Sequence, residues 1–520
     1  MNKRQTIKVL RRIVMGSILT LGYSACSPFR PDVADSATIK EAWDEFSNPA
    51  DSARTKVWWF HGETETTREG ITADLEAYKR AGVGGVVYYD QVHGKGEHAL
   101  PAFSVEWWEM LKFAASEAKR VGLSFEINLS NGYVAGGPWI TKALSMQRLT
   151  ASDTIIRGKQ QFAAVLPAPG DDEFWDIAVL AFPVPQNQWM TNNSQRPKVT
   201  CNLPGVSAED FFCKKSRLTT IPPQQPGKSV YINLDFETSF TARSITYRVS
   251  KRSKASTGAM NVPGAPADEF YGSSYVKQPP LGQLEVSDDG INYSKVCDLK
   301  PIYQAAASRW DQKTVSFPAV TGRYFRLNLH DWCLAGDQRP EMALGNVTLS
   351  SRARIDQWEE RAGFYSEYIL KNLTPAYTDE EIIDLKTIVD LTSKMGTDGR
   401  LEWDVPEGDW VIMRFAHEST GGPSKHGRAN LKGLECDKMS VEAVTTQWNN
   451  YAARMIDTLS AINVKPDGVI MDSHEAGAQN WTPGFEQEFL RRKGYDLFSY
   501  LPAMMGYIAV SYTHLRAHET

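Results

Sequence analysis

Asp472, His474 and Glu475 fall within four residues, directly after a short apolar run at 469–471 (VIM). Two carboxylates and an imidazole so placed are hard to account for as core. A glycosidase needs one carboxyl group held protonated to donate to the leaving oxygen. It needs a second, ionised, to activate water or to attack. Glu475 leads for the acid, because Ala476 and Trp481 nearby would limit its solvation and raise its pKa. Asp472 and His474 follow as substrate-binding candidates. A structural use competes: Asp472 and Glu475 cap the helix that follows, or pair with Arg491 or Arg492. A second acidic pair, Glu435 and Asp437, lies in GLECDK (433–438), just ahead of another helix. Helix N-termini favour acids in any case, which accounts for Asp437. Glu435, behind a glycine-rich loop, is the better candidate for a sugar hydroxyl or a hard cation such as Ca²⁺. No EF-hand spacing accompanies it, and the metal ligands stay unassigned. No nucleophile elbow, Walker A loop, HExxH or GxGxxG stands in a suitable context.

These residues need a scaffold that delivers strand ends to one mouth. Residues 56–60 (KVWWF), 84–90 (GGVVYYD) and 123–129 (LSFEINL) read as strands. Between them lie two helices, one opened by Thr66-x-x-Glu69 in capping-box form, the other by Ser104 and stopped by Gly122. Strand, helix, strand at this spacing predicts right-handed βαβ crossovers and a parallel sheet. The third strand empties into SNGYVAGGPWIT, where Asn131 and Trp139 are candidates for holding a sugar. Residues 151–352 change texture to short alternating strands with the tight-turn signal Asp288-Asp289-Gly290, which predicts an inserted β-sandwich. The runs QLEVSDDGINYSKV and FPAVTGRYFRLNL resemble galactose-binding-like, discoidin-type sandwiches. Helical periodicity returns after 353, with a helix from Trp358. Residues 399–415 then read as a β-hairpin turning at Pro406-Glu407-Gly408. Ser440 caps a long helix with Val441, Val444, Trp448, Tyr451, Met455 and Leu459 on one side. The expected fold class is therefore α/β, an incomplete (β/α)8-type barrel (54–150 and 353–509) carrying an inserted all-β sandwich.

The 57 basic residues against 62 acidic leave a net charge of −5, and no Lys/Arg stripe follows the N-terminus. Nucleic acid is thus unsupported as a partner. Residues 1–26 carry a basic n-region and a short apolar h-region ending in Ser24-Ala25-Cys26, a form similar to a bacterial lipoprotein signal. Cys26 is then the lipidated terminus and the sole membrane attachment, and 27–53 a tether; plain secretion with cleavage near Ala25 is the alternative. Either way export is expected, to the periplasm or cell surface of a Gram-negative bacterium. The five other cysteines include no C-x-x-C, so neither zinc nor a thioredoxin-like motif is indicated.

Five stretches, KVWWFHGETETTREGITADLEAYKRAGVGGV, GLSFEINLSNGYVAGGPWIT, WDVPEGDWVIMRF, GLECDKMS and MDSHEAGAQNWTPGFEQEF, together resemble glycoside hydrolase family 106. The resemblance implies a bacterial α-L-rhamnosidase on a (β/α)8 barrel, inverting, calcium-dependent and acting on rhamnose-containing oligo- or polysaccharides. By motif, Glu475 matches the family's general acid. The family's catalytic base lies downstream of every motif matched, so the chain is expected to be a truncated, inactive fragment ending near the sixth strand's helix. Residues 510–520 are expected to be a spurious tail. The rival expectation is a surface glycan-binding lipoprotein without hydrolysis.

Overall fold

A computed structural model describes residues 36–92, 98–170, 173–185, 190–213, 218–223, 225, 227–250, 280–302, 310–332, 341–364, 377–471 and 476–509. After a helix over Ser36–Ser47 and a single turn at Asp51–Ala53 come β1 (Lys56–His61), α1 (Arg68–Arg80), β2 (Gly85–Asp90), α2 (Val105–Val121) and β3 (Ser124–Asn128). β1 and β3 flank β2 in parallel, and the strand Gly468–Ile470 joins the far side of β3, also parallel. Among the described residues this sheet has four strands, of which Gly468–Ile470, ahead of Glu475, is the last in sequence. Every residue of β2 is buried, as expected of a parallel strand covered on both faces. α1 and α2 cover one face, with Ile71, Leu75, Trp107, Leu111, Ala114 and Ala118 packed against Trp59, Val86, Tyr88, Phe125 and Ile127. Thr67, one residue after the expected Thr66, caps α1 by accepting from Gly70 N. Ser104 caps α2 and Gly122, at φ 76°, ends it.

Two further β-units follow. The expected hairpin at 399–415 does not close on itself. Arg400–Val405 pairs with Gln160–Val165, while Trp410–Ser419 lies between Gln147–Ile156 and Phe174–Pro183. Burial explains the split. Trp410–Ser419 is buried along nearly its whole length and needs partners on both sides. Arg400–Val405 alternates exposed and buried, which suits an outer ribbon. The third unit is a seven-stranded antiparallel sheet built on the long strands Val230–Val249 and Gln312–Leu329. Register shifts at Asp235/Phe240 and Ala242/Ser244 interrupt that pairing, and residues from both halves enter one core. Gly282–Ser287 and Ser294–Leu299 form the expected hairpin, in which Asp289 accepts from Ile291 N and Asn292 N. Cys201, Cys213, Cys297 and Cys436 are free thiols.

Where this sheet meets the short helix Trp358–Arg361, charged groups are buried. Lys313 pairs with Glu360, and Glu359 accepts from Thr314 N (3.2 Å) and Thr314 Oγ1 (2.6 Å). Burial raises the Glu359 carboxyl to about 7, although Thr314 opposes this. The unfolded carboxyl ionises near 4.5. Between those values the folded state keeps a proton that the unfolded chain has lost. The contribution is therefore full below the unfolded value and is lost as pH rises through 7. Glu359→Gln, neutral throughout, should melt near the parent's temperature at about pH 5 and above it at about pH 8. Parallel melting curves at both pH values check this.

Candidate active site

The C-terminal ends of the parallel strands carry His61, Asp90 and Asn128. Asp90 is buried and accepts from Arg428 Nε (2.8 Å), Arg428 Nη2 (2.7 Å) and the Tyr451 hydroxyl (3.2 Å). Tyr451 is where the expected long helix breaks, into Val441–Asn450 and Ala452–Ser460. The face of the first helix also differs from expectation. Val441, Val444 and Trp448 are exposed, while Ala443 and Gln447 are buried. Two polar ties run on the inward side: Tyr451 to Asp90, and Gln447 Oε1 to the Trp139 indole N–H at 2.8 Å. His61 stacks on Tyr88 with centroids 4.4 Å apart, and its Nε2 is buried with no hydrogen-bond partner among the described residues. Burial pushes its pKa down to about 4; Asp90 opposes this and Arg428 adds to it. His61 is thus a neutral imidazole at the mouth of the sheet. Sequence reasoning passed over it, and its only signal was its place at the end of KVWWFH.

The loops after β3 and before the helix at Val441 interlock. Asn131 is fully buried, its Oδ1 accepting from Arg428 N (2.9 Å) and its Nδ2 donating to Arg428 O (3.2 Å). Both amide atoms are engaged in holding one loop to the other. Gly136 and Gly137 pair with Glu435 and Leu434 as a short antiparallel ladder. A Cβ on Gly136 would sit 2.2 Å from Leu434 O, and one on Gly433 2.0 Å from Gly137 O, so this approach requires glycine. Trp139 folds its ring over Gly137 and is partly buried.

Glu435 is fully buried at this ladder, with the Lys438 ammonium beside it as an ion pair and, among the described residues, no hydrogen bond to either carboxylate oxygen. Desolvation lowers Lys438 to about 8. Asp437, on the next turn, accepts from Thr482 Oγ1 (2.6 Å), Gln479 Nε2 (2.5 Å) and Met439 N (2.8 Å). It thereby fastens the segment following Glu475 to the GLECDK loop, a role the sequence did not reveal. Ala476 packs with Val134 and Met146, and Leu129 N donates to Ile470 O. Both described flanks of the acid-bearing segment therefore meet loops of this face. Asp472, His474 and Glu475 themselves lie outside the described residues, as does Cys26. His417, buried beside Trp175 and bonded to Gln147 Oε1 at 3.0 Å, is also pushed down to about 4 by burial.

Residues 47–514 match the alpha-L-rhamnosidase family Glyco_hydro_106. A solved rhamnosidase from Novosphingobium sp. PP1Y superposes with a TM-score of 0.71 at 27% identity, over 90% of this chain and 43% of that one. A curated protein of Formosa agariphila, named "Putative beta-glucuronidase", is 24% identical over 498 residues, 95% of this chain and 29% of that protein. The chain thus spans less than half the length of either relative. A match over nearly the whole chain makes it a member of the alpha-L-rhamnosidase family, glycoside hydrolase family 106.

Proposed function

We propose that the protein to which this chain belongs is an exported, inverting α-L-rhamnosidase acting on rhamnose-containing plant or bacterial polysaccharides. Family membership carries this reading, and favours it over a surface glycan-binding lipoprotein without hydrolysis. The four-stranded parallel sheet is read as an arc of the family's (β/α)8 barrel and the seven-stranded sheet as its galactose-binding-like insertion. Strand ends converging on one mouth are where such barrels build their sites. Glu475 donates the proton to the leaving oxygen. The base, which the resemblance places outside the matched motifs, activates a water on the opposite side of the sugar.

Asp472 and His474 bind the sugar in this reading. Asn131 and Trp139 hold the loop beneath it, as their bonds to Arg428 and Gln447 support. Glu435 meets either a sugar hydroxyl or calcium, since a buried carboxylate with no hydrogen bond among the described residues is a suitable donor for a hard cation. Lys438 already supplies a positive charge there. Among the described residues no three His, Cys, Asp or Glu side chains gather as a metal set, so backbone and amide oxygens would complete a calcium shell. When bound, the ion would order sugar hydroxyls. A lipoprotein-type signal ending at Cys26 would anchor the exported protein.

The test is hydrolysis by the full-length protein, with calcium, of 4-nitrophenyl α-L-rhamnoside beside 4-nitrophenyl β-D-glucuronide. The second substrate follows the name of the Formosa relative. Release from the rhamnoside alone is expected; release from the glucuronide alone would overturn the substrate assignment.

A further inference from the structure

The seven-stranded sheet has an outward face with unusual contents. Along a sheet with one face in a core, inward apolar residues alternate with outward polar ones. Here Ile232, Leu234, Phe325 and Leu327 fill the core, and the residues between them are Tyr231, Asn233, Asp235, Tyr324 and Arg326. Asn233 stands opposite Arg326, and Asp235 opposite Tyr324. The neighbouring strand places Thr200 and Lys198 beside Asn233 and Asp235. With Tyr293, from beyond the Gly290 turn, these residues line a groove of about 430 Å³. That volume lies within the range of small-ligand sites.

The centre of the groove is built rather than incidental. The Arg326 guanidinium lies 3.7 Å from the Tyr293 ring centroid and 4.5 Å from that of Tyr231. Its Nε donates to Glu285 at 2.7 Å, and Glu285 also accepts from Asn328 (2.8 Å) and Gln283 (2.6 Å). Burial alone would raise the Glu285 carboxyl; these hydrogen bonds outweigh it and hold it below its ordinary value. A flat cation is thus fixed between two aromatic rings, with a carboxylate locked behind it. Around it stand tyrosine hydroxyls, an asparagine, a threonine and the exposed Lys198. Aromatic faces that take C–H edges, beside fixed N–H donors for hydroxyl oxygens, are the chemistry that holds a sugar ring.

We propose that this groove is an accessory glycan-binding site, distinct from the residues of the candidate active site, that holds a stretch of rhamnose-containing polysaccharide. The choice of glycan rests on the hydrolase reading; the groove's geometry does not. Native electrophoresis of the 520-residue chain in gels containing rhamnogalacturonan tests it. The parent is expected to be retarded. Tyr293→Ala should weaken apparent affinity about fivefold to tenfold, and Arg326→Lys, which keeps the charge toward Glu285 but not the planar stack, by about threefold. Melting temperatures of both variants show whether the fold persists. Glu402→Gln, exposed on the outer ribbon Arg400–Val405 and in neither site, should leave retardation unchanged. An unretarded parent, full retardation of both groove variants, or loss of retardation on Glu402→Gln would overturn the proposal. Because the gel reads binding without hydrolysis, it fails or succeeds separately from the rhamnoside assay.

Discussion

Arg428→Met is expected to cost about 3–5 kcal/mol of folding stability, the penalty for removing one partner of a buried ion pair. Both partners are buried almost completely: Asp90 keeps 1% of its surface and Arg428 2%. Without the guanidinium, the Asp90 carboxylate is left among the described residues with the Tyr451 hydroxyl, the Tyr88 side chain and the distant Trp107 indole at 3.4 Å. None of these carries a positive charge. The damage should also spread, because Arg428 Nη1 donates to Leu100 O at 2.6 Å and its backbone clasps Asn131. Arg428→Lys keeps a cation but loses the two-pronged grip, so an intermediate loss is expected. Denaturant titration of the three proteins measures the difference. A loss below about 1 kcal/mol for Arg428→Met would mean that the pair contributes no more than a surface one.

The other large effect concerns catalysis. Glu475→Gln in the full-length protein should lower the rate on polysaccharide by about 10²–10⁴, the range contributed by a positioned general acid. The loss should shrink on an aryl rhamnoside, because a good leaving group needs less protonation to depart. That contrast separates an acid from a residue that merely binds sugar, whose removal would weaken both substrates alike. Equal losses on the two substrates would move Glu475 from acid to binding residue. Asp437→Asn gives a useful comparison, since Asp437 acts through Gln479 and Thr482 on the segment that follows Glu475.

Local signals made much of the scaffold legible. The apolar run of β2, the stop at Gly122 and the serine cap at Ser104 mark their elements directly, because each acts over a few residues. The Asp288-Asp289-Gly290 turn was readable for the same reason. What stayed hidden depends on distant partners. Nothing near Trp410 reveals that Gln147–Ile156 and Phe174–Pro183 flank its strand and displace the hairpin that Pro406-Glu407-Gly408 suggests. The exposed face of the helix at Val441 was misjudged because apolar spacing cannot register hydrogen bonds from Gln447 to Trp139 and Tyr451 to Asp90. The glycines of GGPW and GLECDK were legible only as loop residues; they are close-contact positions in one ladder. Glu435 was legible as a candidate by type, whereas its lysine neighbour and its lack of hydrogen bonds required three dimensions.

The stereochemistry of the first product tests the central claim most directly. Proton NMR during hydrolysis of an aryl α-L-rhamnoside by the full-length protein should show β-L-rhamnose appearing first, with the α-anomer growing in only by mutarotation. Initial release of α-L-rhamnose, or no rhamnose from the full-length protein with calcium, would contradict an inverting α-L-rhamnosidase that uses Glu475 as its acid.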